Sequence, residues 1–144
     1  MKQKILQKLK EIEQQKDVEI LFAVESGSRA WDLLLRTATT ISVLYTNTNP
    51  DYYLSLWEKT DVIEFMTEDD LDGSSWDLRK AVKLVAKSNA PLLEWLHSPI
   101  VYLENEDFAS QMREIVAECF SPIAVLHYYL GTTKNFMEVC EMEE

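Results

Sequence analysis

The run Val18-Glu19-Ile20-Leu21-Phe22-Ala23-Val24 constrains this chain most, because almost every position in it is apolar. That is the pattern of a central strand covered on both faces, not of an edge strand or an amphipathic helix. Simple alternation puts Ile20, Phe22 and Val24 on one face and Leu21 and Ala23 on the other. The strand runs into Glu25-Ser26-Gly27-Ser28, and Arg29-Ala30-Trp31 then fits the start of a helix. A strand leading into Gly-Ser at a helix N-terminus is suited to holding a phosphate: glycine permits close approach and the helix end favours negative charge. The same glycine serves equally well as a plain turn residue, so this stretch constrains the fold more than the chemistry.

The rest of the chain supplies what such a strand needs. Ile5, Leu6, Leu9 and Ile12 form one apolar stripe on a helix over residues 2–15. Ile41 to Tyr45 and Val62 to Phe65 are further strand candidates, separated by an Asn47–Pro50 turn and a short helix over 51–58. Helices dominate afterwards. Ser74 or Ser75 is placed to cap one over about 76–88, and Pro91 suits the first turn of the next, which ends at Ser98-Pro99. Residues 105–119 form another, and Ser121-Pro122 opens a last one that Gly131 bends or ends. The expectation is an α+β fold: a small mixed β-sheet flanked by helices, followed by a C-terminal helical region. Residues 1–88 would form the core and 89–144 the helical region, expected to be truncated. Trp31, Trp57, Trp76 and Trp95 are read as core side chains.

Charge limits the partners. With 14 basic and 25 acidic residues the chain carries a net charge of −11, which repels a nucleic-acid backbone unless the cations are clustered or a metal intervenes. Hydrophobic residues make up 47%, which supports a packed core and excludes a disordered chain. Cys119 and Cys140 lack metal-type spacing and are read as reduced thiols. No apolar run approaches the roughly 20 residues of a membrane span, and the N-terminus leads into a charged helix, so a cytoplasmic protein without membrane contact is expected.

Seven segments stand in order along the chain: Glu25-Ser26-Gly27-Ser28-Arg29-Ala30-Trp31, Ser75-Trp76-Asp77-Leu78-Arg79-Lys80-Ala81, Lys87-Ser88-Asn89, Glu94-Trp95-Leu96, Ser98-Pro99-Ile100-Val101-Tyr102, Phe120-Ser121-Pro122 and His127-Tyr128-Tyr129-Leu130. Together they resemble the nucleotidyltransferases of the DNA polymerase beta superfamily that are grouped with RNA repair pathways. The resemblance runs from about residue 18 onward. It implies transfer of a nucleoside monophosphate from a nucleoside triphosphate to an acceptor, with nucleic acid, protein and small molecule all open as its class. It also implies Mg²⁺ held by an Asp-x-Asp strand and a third carboxylate, with the metals clamping the attacking and leaving oxygens. Carried onto this sequence, Gly27, Ser28 and Arg29 would hold the triphosphate, with Lys80 and Lys87 meeting phosphates. Asp72 would be the third carboxylate, acting as catalytic residue and metal ligand, with Glu64 as the alternative.

The sequence departs from that pattern where the metal pair belongs. Residues 33–50 contain no Asp or Glu, and Thr39 and Ile41 stand at the two positions. Threonine is a weak neutral ligand and isoleucine is none, so the chain as written is expected to be catalytically impaired. A non-catalytic nucleotide-binding or interaction scaffold is the competing expectation. The genetic code offers a source for the change. Residues 32–49 can be encoded so that one added G before them and one base removed at the end read GFASPDSDYDISFIYKHQ, which restores aspartates at positions 37, 39 and 41. A compensated pair of frameshifts is therefore expected, and codons across 31–50 incompatible with the second frame would exclude it.

Other candidates have plainer readings. Arg79, Lys80 and Lys87 suit a solvated helix face, Arg29 a structural ion pair, and His127 a packed histidine in preference to a base-stacking one. His97 is read as surface or structural. An exposed apolar C-terminal helix would lead to oligomerisation.

Overall fold

A computed structural model describes residues 2–26, 39–66 and 71–142. The elements in order are α1 (Lys2–Lys16), β1 (Val18–Ser26), β2 (Thr39–Asn47), α2 (Asp51–Leu54), β3 (Val62–Met66), β4 (Leu71–Asp77), α3 (Leu78–Ala86), α4 (Ala90–Leu96), β5 (Val101–Glu104), α5 (Glu106–Cys119) and α6 (Pro122–Met142). The five strands form one mixed sheet in the order β3-β4-β2-β1-β5. β2 and β4 are parallel, and the other neighbours are antiparallel. The architecture is the expected α+β one, with helices on the sheet and a helical C-terminal region.

Each face of the sheet carries its own core. Phe22, Val24 and Leu44 pack with Ala81, Val85, Leu92, Trp95 and Met112 of α3, α4 and α5. Ile20, Ala23, Ile41, Val43 and Tyr45 pack with Ile5 and Leu9 of α1. Ile20 therefore does not share a face with Phe22 and Val24 as alternation predicts. A β-bulge between Ile20 and Phe22 adds one residue to the strand and reverses the side on which later side chains fall.

Capping also differs from the expectation. Ser74 and Ser75 lie inside β4 and do not cap α3; the cap is Asp77, whose carboxylate accepts from the Arg79 N–H at 2.9 Å. The Ser75 hydroxyl donates instead to the Ile63 carbonyl at 2.6 Å on the neighbouring strand. Asn89 and Asn105 cap α4 and α5 in the same way as Asp77, accepting from Leu92 and Phe108 N–H groups.

Residues 89–119 are built into the sheet's surroundings. β5 pairs with β1, so the C-terminal region contributes a strand as well as helices. Ser88, at φ 52° between α3 and α4, donates from its hydroxyl to the Cys119 carbonyl at 3.2 Å and accepts from the Ser121 N–H at 2.8 Å. That pair of bonds ties the α3–α4 turn to the α5–α6 junction. Beyond it α6 continues through Gly131, and its Ile123, Leu126, Leu130 and Met137 are all exposed. The Tyr129 hydroxyl, donating to Glu94 Oε1 at 2.5 Å, links it back to α4. Cys119 and Cys140 are free and exposed. Among the described residues, no helix is long and apolar enough to cross a membrane.

Candidate active site

The segment expected to hold the triphosphate follows β1 in the sequence. Gly27, Ser28 and Arg29, like Trp31, lie outside the described residues. What the structure shows is how Glu25, two residues before Gly27, is held. Ser98 Oγ donates to the Glu25 carbonyl at 2.6 Å, the Glu25 N–H donates to the Ile100 carbonyl at 2.9 Å, and the Tyr102 hydroxyl donates to Glu25 Oε2 at 2.5 Å. The Glu25 side chain is fully buried. Two segments some 75 residues apart in sequence thus form one clasp, and neither periodicity nor composition signals it.

Beside that clasp the sheet presents a polar patch on its helical face. Residues directly paired across strands point to the same side of a sheet. Ser26 pairs with Thr40, Thr40 with Asp72, Ser42 with Ser74, and Ser74 with Glu64. All six therefore share one face, and Ser42 Oγ confirms it by donating to Ser26 Oγ at 2.6 Å. Asp72 and Glu64, the two candidates for the third carboxylate, line the same pocket of about 450 Å³ together with Gly73 and Ser74. The structure brings these two together.

The positions expected for the metal pair point the other way. Ile41 pairs with Gly73 and Glu25, and it is fully buried in the α1 core. Thr39, one alternation earlier, shares that side and is buried. In this register, side chains at 39 and 41 lie on the opposite face of the sheet from Asp72. Magnesium requires several hard oxygen ligands in near-octahedral order. Among the described residues no group of three or more His, Cys, Asp or Glu side chains is arranged to hold a metal. The described residues do not fit the Mg²⁺ set that the resemblance implies.

Lys80 and Lys87 are elsewhere. Asp77, which starts α3, is five residues along β4 from Asp72, or about 17 Å, and Lys80 lies in the first turn of that helix. Lys80 Nζ pairs with Asp61 Oδ1 at 3.1 Å. Lys87 lines the same groove as Lys80, one that also takes in Lys59 and Lys83. Arg79 lies over the rings of Tyr52 and Tyr53, 5.9 and 5.7 Å from their centroids. Tyr53 in turn donates its hydroxyl to Asp77 at 2.7 Å. Burial raises the titration of both tyrosines above the ordinary phenol range, so both remain neutral hydrogen-bonding groups at physiological pH.

Two aromatic readings are corrected. Trp57 is 83% exposed, not core, because the short helix stops at Leu54 and residues 55–60 form a surface segment. Trp76 and Trp95 stack in the core with centroids 4.0 Å apart. His127 is exposed on α6 and not packed. His97 is exposed, with Nδ1 2.8 Å from the Leu93 carbonyl.

Most of the chain is similar in sequence to known proteins. The chain is 43% identical over 136 residues to a Bacillus subtilis (strain 168) protein, "Uncharacterized protein YcgL", a match covering 94% of this chain and 52% of the relative. The chain thus spans about half the length of the curated relative it matches. No solved structure matches it significantly. The family described as "RNA repair pathway DNA polymerase beta family" matches residues 1–144 in full, and the chain belongs to that family.

Proposed function

We propose that this chain keeps the nucleotide-holding scaffold of a DNA polymerase beta-type nucleotidyltransferase but lacks its metal-dependent transfer chemistry. In this reading Gly27, Ser28 and Arg29 hold the triphosphate of a nucleoside triphosphate. The reaction of the family scaffold is transfer of the nucleoside monophosphate to an acceptor with Mg²⁺. One observation carries the impairment: the parallel register pairs Asp72 with Thr40, so positions 39 and 41 lie across the sheet from it and hold no carboxylate. Glu64 is the one other carboxylate beside Asp72 among the described residues, and two carboxylates offer a metal too few ligands to lower the pKa of an acceptor hydroxyl.

The test is incubation of the purified protein with each of the four α-labelled nucleoside triphosphates, MgCl₂ and a mixture of oligonucleotide, protein and small-molecule acceptors. The expected result is nucleotide binding, measured by equilibrium dialysis, without transfer of label. Mg²⁺-dependent labelling of any acceptor by the protein as written would refute the reading.

A second reading, of an interaction scaffold, is favoured by α6. Ile123, Leu126, Leu130 and Met137 form one exposed stripe at helical spacing, and such a stripe is suited to self-association. Sedimentation should show a concentration-dependent oligomer that the Leu126→Glu/Leu130→Glu variant abolishes; a monomer at all concentrations removes this reading.

A further inference from the structure

We propose that the groove between α3 and residues 55–61 binds single-stranded nucleic acid, its phosphates held by Lys59, Lys83 and Lys87 and one base stacked on Trp57. The groove has a volume of about 530 Å³, and Lys59, Arg79, Lys80, Lys83 and Lys87 line it with Trp57. Five of the chain's 14 basic residues therefore meet in one place on a molecule of net charge −11. The expected repulsion of nucleic acid holds only where cations are dispersed; here they are clustered.

The cations divide by role. Arg79 is occupied by Tyr52 and Tyr53, and Lys80 by Asp61. Lys59, Lys83 and Lys87 make no ion pair among the described residues. Arg79, Lys80, Lys83 and Lys87 recur along one helix face at i, i+1, i+4 and i+8, a cationic stripe of about 12 Å. A plain solvated face accounts for lysines on a helix. It does not account for Leu56 at 100% and Trp57 at 83% exposure on the opposite wall. Two large apolar side chains held in water beside three unpaired ammonium groups match the two demands of a single strand: cations that follow its backbone and an aromatic plane that takes a base. A duplex keeps its bases stacked inside and offers Trp57 nothing to stack on. Glu58 and Asp61 also line the groove, and they limit its net charge, so the binding is short-range and salt-sensitive.

This inference does not rest on a nucleotide at Gly27 or on any transfer reaction. The groove is at the α3 end of β4, away from the Asp72 pocket, and its test contains neither nucleoside triphosphate nor Mg²⁺. Fluorescence anisotropy of a labelled oligouridylate of about a dozen nucleotides is measured at low salt and over a salt series. Inorganic polyphosphate and poly-glutamate serve as competitors. The wild-type chain is expected to bind with an affinity that falls steeply with salt. The Lys59→Gln/Lys83→Gln/Lys87→Gln variant should bind at least tenfold more weakly and lose about 2 from the log–log salt slope, at about 0.7 per phosphate contact. Trp57→Ala should weaken binding by about 5- to 100-fold, the effect of one lost base stack, and Trp57→Phe should restore most of it. Circular dichroism checks that each surface variant folds. No binding at low salt overturns the proposal, as does undiminished binding by the triple variant. Equal competition by polyphosphate with no effect of Trp57→Ala makes the groove a general anion site, and effective competition by poly-glutamate makes it a protein-docking site; either result also overturns it.

Discussion

The β2–β4 register allows a metal site to be built beside Asp72 by changing Thr40 and Ser42, and not by changing Thr39 and Ile41. Thr40 is the direct partner of Asp72, at an interstrand spacing of about 4.8 Å, and position 42 is about 7 Å further along the same face. In Thr40→Asp/Ser42→Asp the two new carboxylates join Asp72 and Glu64 on one side of the sheet. Without metal they repel: two unit charges about 5 Å apart at an effective dielectric constant of about 20 cost about 3 kcal/mol. The Ser42–Ser26 hydrogen bond is lost as well, for about 1 kcal/mol more. The apo double variant is therefore expected to be destabilised by about 4 kcal/mol. Mg²⁺ at a hundred times its dissociation constant returns about 2.7 kcal/mol, a rise of about 8 °C in Tm for a chain of this size.

Thr39→Asp/Ile41→Asp behaves differently. Ile41 is fully buried among α1-side apolar groups and pairs with the equally buried Glu25. A carboxylate there loses an apolar contact and places an anion beside Glu25, a cost of at least about 4 kcal/mol, with Asp72 out of reach on the other face. No Mg²⁺ rescue follows. The assay is thermal unfolding of both variants over a MgCl₂ series, with NaCl at matched ionic strength as control. Mg²⁺ stabilisation of the 39/41 variant and none of the 40/42 variant would refute the register.

Three further outcomes follow from the same packing. A Cβ on Gly73 would lie 2.0 Å from the Phe65 ring, so Gly73→Ala should cost about 1–3 kcal/mol in urea unfolding, and most of that cost should disappear in a Phe65→Ala background. Ser98→Ala removes the 2.6 Å bond to the Glu25 carbonyl and should cost about 1–2 kcal/mol in the same measurement, with faster hydrogen exchange at Glu25. The hydrogen bond to Glu94, followed by burial, pushes Tyr129 up to about 12. The folded state thus holds a proton that the unfolded chain loses near pH 10, and the α6–α4 link is complete below pH 10 and lost as pH rises to about 12. Ultraviolet titration should lose one late-titrating phenol in Tyr129→Phe, and α6 should become protease-sensitive in that variant at neutral pH.

The parts of the fold legible in the sequence are those where one face is apolar and the other is not, or where both are. β1, α1, α4 and α5 meet that condition, and each forms where periodicity puts it. β4 does not, since Leu71-Asp72-Gly73-Ser74-Ser75-Trp76-Asp77 shows no apolar alternation. It is a strand because its neighbours make it one: Ser75 bonds to β3, Gly73 lies beneath Phe65, and β2 supplies a parallel ladder. Propensity gives way to pairing in such a segment. The bulge after Ile20 was hidden for a different reason, because an added residue changes the face without changing composition. At the site, Asp72 and Glu64 were visible as acids, but their common pocket depends on the β3–β4 pairing. The clasp on Glu25 and the Ser88 bonds tie together segments far apart in sequence. Each is a single side chain bonding backbone or carboxylate in another segment, a contact with no period to detect.

The register that separates Asp72 from positions 39 and 41 is held by more than the ladder. Ile41, Val43 and Tyr45 fill the α1 core while Leu44 fills the helical one, and Thr40 and Ser42 take the polar margin. A slip of one residue would exchange these faces. Ile41 and Val43 would then lie against Ser26 and Asp72, and the Thr40 and Ser42 hydroxyls would enter an apolar core at a cost of about 1–3 kcal/mol each. The β2 side chains thus select the register in which positions 39 and 41 face away from Asp72. If residues 32–49 were read in the second frame, the aspartates at 39 and 41 would meet Asp72 only with β2 shifted by one residue. Its residues at 40, 42 and 44 are then Tyr, Ile and Phe, an apolar alternation without the two hydroxyls that pin the present register. The same β2 residues that lack carboxylates thus also fix which side of the sheet positions 39 and 41 face.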